Sequence, residues 1–115
     1  MSVVTTNFYT NIPLELAQVK ELVCELPFNG HDFVVLAQSA RDDADYVQTA
    51  LEDEEADENS RYIVETRVWR GKNDFTHYRT FTDTAAQAYA FFEAFYQTGR
   101  CGCRAWEDVS GEFRD

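Results

Sequence analysis

Ile12, Leu16, Val19, Val23 and Leu26 fall at spacings of 4, 3, 4 and 3, which places them on one stripe of a helix. The spacing predicts a helix from about Pro13 to Leu26. Asn11 or Ile12 sits at its cap, and Pro13 is tolerated in a first turn. Pro27 and the Asn29-Gly30 pair end it. The period then shortens. Asp32–Gln38 is a short apolar run with Val34 and Val35 at its centre, bounded by turn residues, and reads as a buried strand. Ser39–Asp45 is a polar loop. Tyr46–Leu51 alternates, with Tyr46, Gln48 and Ala50 on one face and Val47, Thr49 and Leu51 on the other.

The clearest β signal follows. Arg61–Arg70 and Phe75–Thr82 are rich in β-branched and aromatic residues and flank the four residues Gly71-Lys72-Asn73-Asp74, the pattern of a hairpin. On its first strand Tyr62, Val64, Thr66 and Val68 form the core face; Ile63, Glu65, Arg67 and Trp69 form the other. A second helix is expected over Ala85–Gln97. Thr84 and Gln87 have capping-box spacing, and Gly99 is a natural stop. Ala85, Ala88, Phe92, Phe95 and Tyr96 line one side of it. Arg104–Val109 is expected as a closing edge strand that could pair with another chain, and 108–115 as a frayed acidic tail. The expected fold is α+β: an antiparallel sheet of four to five strands with two amphipathic helices packed on one face. The second sheet face, with Ile63, Glu65, Arg67 and Trp69, stays partly open.

The 115 residues fit one domain. Seventeen aromatic residues supply enough apolar area to exclude global disorder. The formal net charge is −11, which argues against nucleic acid or anionic lipid as a ligand of a basic surface. Met1–Thr10 lacks the basic and apolar regions of a signal peptide, and no stretch has the apolar length to span a bilayer. Cys24, Cys101 and Cys103 are an odd, irregular set rather than a disulfide framework. A reduced, cytoplasmic location is the expectation.

Charge is unevenly placed. Nine residues between Arg41 and Ser60 are Asp or Glu, and this window alone carries −8. Asp42, Asp43 and Asp45 precede the Tyr46–Leu51 strand; Glu52, Asp53, Glu54, Glu55, Asp57 and Glu58 follow it in a 52–60 loop. The two groups are expected to add on one side of that short strand. The hairpin that comes next is net positive, with Arg61, Arg67, Arg70, Lys72 and Arg79 against Glu65 and Asp74. Segregated charge steers encounter with a complementary partner, and part of it is available for pairing between loop and hairpin.

Catalytic signals are sparse. His31 and His77 are the only histidines, and neither stands beside a nucleophile motif. Cys101-Gly102-Cys103 lacks the C-x2-C pairing and further ligands of structural zinc. The acidic loop lacks the glycine and terminal glutamate of an EF-hand, and the five glycines form no phosphate loop. No metal or cofactor is expected, and no catalytic residue is assigned. A small enzyme or ligand-binding domain using His77, Tyr78 and Arg79 would need a ligand-sized cavity on the open sheet face.

YVQTALED at Tyr46–Asp53, the hairpin Tyr62–Phe81, the aromatic helix ending FYQTG within Phe92–Gly99, and Trp106–Glu107 together resemble the immunity protein 1 family of bacterial polymorphic toxin systems. The likeness spans the C-terminal part of the chain. It departs in the longer charged insert after Leu51 and in Cys-Gly-Cys before the Trp-Glu strand. The resemblance implies a non-catalytic cytoplasmic protein that binds and neutralises a cognate toxin, deaminases and nucleases being among the toxins concerned. An acidic face can take the place of a nucleic acid on a toxin's Lys and Arg residues. The twelve expected partner contacts are the nine acidic residues of the window with Tyr46, Trp69 and Trp106 as aromatic anchors. The alternative is an acidic DNA mimic from a phage or mobile element, acting on a host nuclease or DNA-binding protein. The expected oligomeric state is monomer or homodimer.

Overall fold

A computed structural model describes residues 2–26, 28, 32–41, 43–52, 61–71, 74–102 and 105–113. Strand β1 (Val3–Thr6) is followed by helix α1 (Leu16–Cys24), strands β2 (Val34–Ala37), β3 (Tyr46–Leu51), β4 (Tyr62–Gly71) and β5 (Asp74–Thr82), helix α2 (Ala85–Thr98) and strand β6 (Glu107–Asp108). A 3-10 turn over Ser110–Phe113 closes the described chain. All six strands lie in one antiparallel sheet in the order β1-β2-β3-β4-β5-β6. The α+β architecture is as expected, but the strand count of four to five is corrected to six. β1 has four residues, VVTT, with Val3, Val4 and Thr6 all buried. A strand covered on both faces has no polar alternation to reveal it.

The helices occupy one face and pack against each other. Val19 and Val23 of α1 and Ala88, Phe92 and Phe95 of α2 meet Val4, Val34, Leu36, Val47, Tyr62 and Val64 of the sheet in one buried cluster. Buried threonines enter this face with their hydroxyls satisfied. Thr49 donates to the Ile63 carbonyl at 2.9 Å and Thr66 to the Tyr46 carbonyl at 2.8 Å, which removes the cost of burying them.

The helix ends follow local chemistry. The Thr84 hydroxyl accepts from the Gln87 N–H at 3.2 Å, and the Gln87 side chain accepts from the Thr84 N–H at 3.2 Å. Gly99 ends α2 with φ 78°, its N–H donating to Phe95 O at 2.7 Å. The first helix begins at Leu16 rather than Pro13 and ends at Cys24. Ile12 is instead bridged to Val4 by two backbone hydrogen bonds of 2.7 and 2.9 Å, so residues 12–15 are drawn along the sheet edge before the chain can coil. That bridge also covers the outer edge of β1, which limits strand addition there.

The closing strand expected over Arg104–Val109 is reduced to Glu107–Asp108. The segment from 108 onward, expected as a frayed tail, is docked as far as residue 113. Val109 N–H donates to the His77 carbonyl at 2.8 Å, and the Ser110 hydroxyl accepts from the His77 N–H at 2.8 Å while donating to Asp108 at 2.6 Å. One hydroxyl therefore satisfies a strand N–H and an aspartate together, and Val109 and Ser110 are buried.

Candidate functional site

The face of the sheet opposite the helices carries three cross-strand rows. Register places Gln48, Glu65 and Arg79 side by side; Tyr46, Arg67 and His77 form the next row; Trp69 and Phe75 form the third. Side chains in one row point to one face. The sequence reading of the β4 faces is therefore borne out: Tyr62, Val64 and Thr66 are buried with Val68 half-buried beyond them, and Ile63, Glu65, Arg67 and Trp69 lie on the open face.

Glu65 is the hub. One oxygen accepts from Gln48 Nε2 at 3.1 Å; the other meets His77 Nε2 at 3.0 Å and Arg79 Nε and Nη2 at 3.2 and 3.1 Å. Arg79 also makes a two-point contact with Glu112 of the C-terminal turn, at 3.1 and 3.2 Å. Arg67 Nε donates to His77 Nδ1 at 3.1 Å. With Nδ1 accepting from Arg67, Nε2 is the ring nitrogen directed at Glu65. Burial works to raise the Glu65 carboxyl. The hydrogen bond from His77 and the charge of Arg79 outweigh it and hold Glu65 below the usual carboxylate range. Burial pushes the Tyr46 phenol up, opposed by Arg67.

Aromatic rings enclose the Arg67 guanidinium. It lies 3.9 Å from the Phe75 ring centre, 5.6 Å from Tyr46 and 5.8 Å from Trp69, within the range of cation–π attraction. Trp69 and Phe75 are 5.1 Å apart at 59°. The Trp69 backbone N–H donates to Asp45 at 2.7 Å, which ties the loop before β3 to this corner. All of these residues except His77 keep partial exposure, whereas His77 is fully buried.

The geometry suits binding better than proton transfer. His77 is inaccessible, with both ring nitrogens engaged, and the adjacent Ser110 hydroxyl meets its backbone rather than its ring. Tyr78 faces the helix side with Thr66, so His77, Tyr78 and Arg79 do not share a face. The depression beside Glu65, lined by Phe33, Gln48, Ala50 and Ile63, measures about 290 Å³, just below the roughly 300–1,000 Å³ of small-molecule sites. No cluster of three metal-ligating side chains occurs among the described residues.

Of the expected contacts, Tyr46 and Trp69 converge on Arg67. Trp106 does not join them: it stacks edge-on against Phe91 of α2 at 4.7 Å and packs on the core. Asp43 pairs with Arg41, and Glu52 pairs with Arg61. Asp42, Asp53, Glu54, Glu55, Asp57 and Glu58 lie outside the described residues. Of the acidic window, Asp43, Asp45 and Glu52 are the members within the described residues. Residues 43–45 and Glu52 flank opposite ends of β3, a strand about 17 Å long at the rise of an extended chain. Sequence reasoning missed the Glu65–His77–Arg67–Arg79 network, along with Gln48, Phe75 and Glu112. Its signal was available in the hairpin: a turn at 71–74 brings the alternating series Glu65, Arg67, Trp69 opposite Arg79, His77, Phe75.

No protein-family model, no curated protein and no solved structure matches the chain.

Proposed function

We propose that this protein is a non-catalytic inhibitor of the immunity type, which binds a cognate toxin and covers its active or substrate-binding surface. The observation that carries this reading is the balance of charge. There are 21 acidic residues against ten Lys and Arg, and two of the hairpin arginines are paired within the fold: Arg61 with Glu52, and Arg79 with Glu65 and Glu112. The partner that this surplus of negative charge favours is a basic protein surface, such as one that holds nucleic-acid phosphates. Anchoring falls to Tyr46, Trp69, Phe75 and Arg67, the residue types that dominate binding energy at protein interfaces. The acidic loops at the two ends of β3 supply orientation and speed. The proposed setting is the cytoplasm, beside the toxin. No helix among the described residues is long and apolar enough to cross a membrane.

The same surplus of acidic residues supports a second reading, a DNA mimic acting on a host nuclease or DNA-binding protein. One experiment addresses both. The tagged protein is used to capture partners from its native host, and what elutes is identified as salt is raised. A stoichiometric toxin with a basic domain supports inhibition of the immunity type. A host nuclease or repressor supports mimicry. Capture of nothing specific removes both.

A further inference from the structure

A second surface lies on the helix side of the molecule, away from the rows around Glu65. The segment between β1 and α1 runs beside the helix and leaves a groove of about 380 Å³ lined by Tyr9, Ile12, Leu14 and Leu22, with Gln18, Glu21 and Glu25 at its edge. Its floor is apolar and its helix rim is acidic. Lys20, the one base of α1, is directed elsewhere, with its ammonium 5.7 Å from the Tyr89 ring of α2.

Exposed aromatic residues stand at the same end. Phe8 is 64%, Tyr9 43% and Phe28 71% exposed, an unusual investment of large apolar area in solvent. The loop that presents two of them is held in place. The Thr6 hydroxyl accepts from the N–H groups of Phe8 and Tyr9 at 3.0 and 3.2 Å, the Thr5 hydroxyl accepts from Asn11 N–H at 3.0 Å, and Asn7 Oδ1 accepts from Asp32 N–H at 2.9 Å. Phe28 joins from the other side through its N–H to Glu25 O at 2.8 Å. Apolar groups fixed before binding lose little entropy on contact.

We propose that this groove docks a protein segment that presents large aliphatic side chains between lysines or arginines, as one face of a cationic amphipathic helix does. The aliphatic groups fill the floor between Ile12, Leu14 and Leu22; the cations meet Glu21 and Glu25. A segment with acidic flanks is repelled by that rim, and a purely polar cationic segment leaves the floor empty. The proposal is independent of what covers the open sheet face.

The test uses the full chain, isotope-labelled, and three synthetic helical peptides: one of Leu and Lys in amphipathic order, one with the same lysines and serine in place of leucine, and one with glutamate in place of lysine. The Leu/Lys peptide is expected to shift the amide resonances of Ile12, Leu14 and Leu22 and to bind at least tenfold more tightly than the other two. The double variant E21K/E25K, which changes only exposed positions, is expected to weaken that binding about tenfold without altering the spectrum elsewhere. Equal binding of the Leu/Lys and Ser/Lys peptides overturns the proposal, because charge alone then suffices. So do shifts centred outside the groove, or no shift at all. Capture of a toxin by E21K/E25K as strong as by the wild type leaves the sheet-face reading standing whatever the peptides do.

Discussion

Replacing Glu65 by glutamine keeps the shape of the hub and removes its charge. The wild-type carboxylate accepts from Gln48, His77 and Arg79, and its side chain is only 14% exposed. In the variant one acceptor becomes an NH2 group, so one of these donors meets another donor. Arg79 keeps Glu112, so no cation is orphaned. Hydrogen bonds to charged groups contribute about 1.5–3 kcal/mol each, and with partial compensation the expected loss is ~2–3 kcal/mol. For a chain of 115 residues that corresponds to a fall of about 10 °C in Tm. The dependence on pH identifies the cause. The folded carboxyl is held below its ordinary 4.5, so its contribution is fully present above that value and is lost as pH falls through the folded one. Chemical denaturation of wild type and E65Q from pH 7 down to pH 2 measures the gap, and other carboxylates cancel in the difference. A gap that stays constant over the whole range refutes the argument from charge. A gap below about 0.5 kcal/mol at pH 7 reduces the network to an ordinary surface ion pair.

Gly99→Ala is expected to cost ~1–2 kcal/mol, because φ is +78° and a Cβ there lies 2.6 Å from Gln38 Nε2; in thermal melts, adding Gln38→Ala should recover only the steric part. Phe92→Ala, at a fully buried site between helix and sheet, should lower unfolding free energy by ~3–5 kcal/mol in urea titration. Ser110→Ala removes the acceptor of the His77 N–H and should cost ~1 kcal/mol, read as faster hydrogen exchange at the His77 amide. Trp69→Ala should weaken partner binding by ~2 kcal/mol or more, whereas Trp106→Ala, which loses packing against Phe91, should lower Tm and leave affinity unchanged in calorimetric titration.

Where the pattern of side chains is two-sided, sequence and structure agree. The hairpin faces, the Thr84–Gln87 box and the Gly99 stop are all read correctly because each rests on chemistry within a few residues. β1 escaped because Val3, Val4 and Thr6 are buried on both of its faces and the four residues carry no period. The start of α1 was misplaced because a long-range bridge, Ile12 to Val4, overrode a local helix signal. The C-terminal turn escaped for the same reason, since its anchor is His77, 33 residues away in sequence from Ser110. The open face was legible as a face. The network on it was not, because it depends on which residues stand opposite one another across three strands.

In the proposed complex with a basic partner, the distribution of charge divides the labour of binding between two kinds of residue. Net charge acts at a distance, within a Debye length of about 8 Å at physiological salt, and sets how often a basic partner arrives. The Glu65 cluster acts at contact. Its arginines are committed to Glu65, His77 and Glu112, so Arg67 and Arg79 are held in one arrangement before a partner arrives, and Tyr46, Trp69 and Phe75 are held with them. Salt should therefore change the association rate of the wild type far more than its dissociation rate. Truncating Trp69 should do the reverse, raising the dissociation rate and leaving the salt dependence of association in place. A dissociation rate that falls or rises with salt as steeply as association would mean that the surplus carboxylates are themselves the contact, and that the aromatic face is only scaffold.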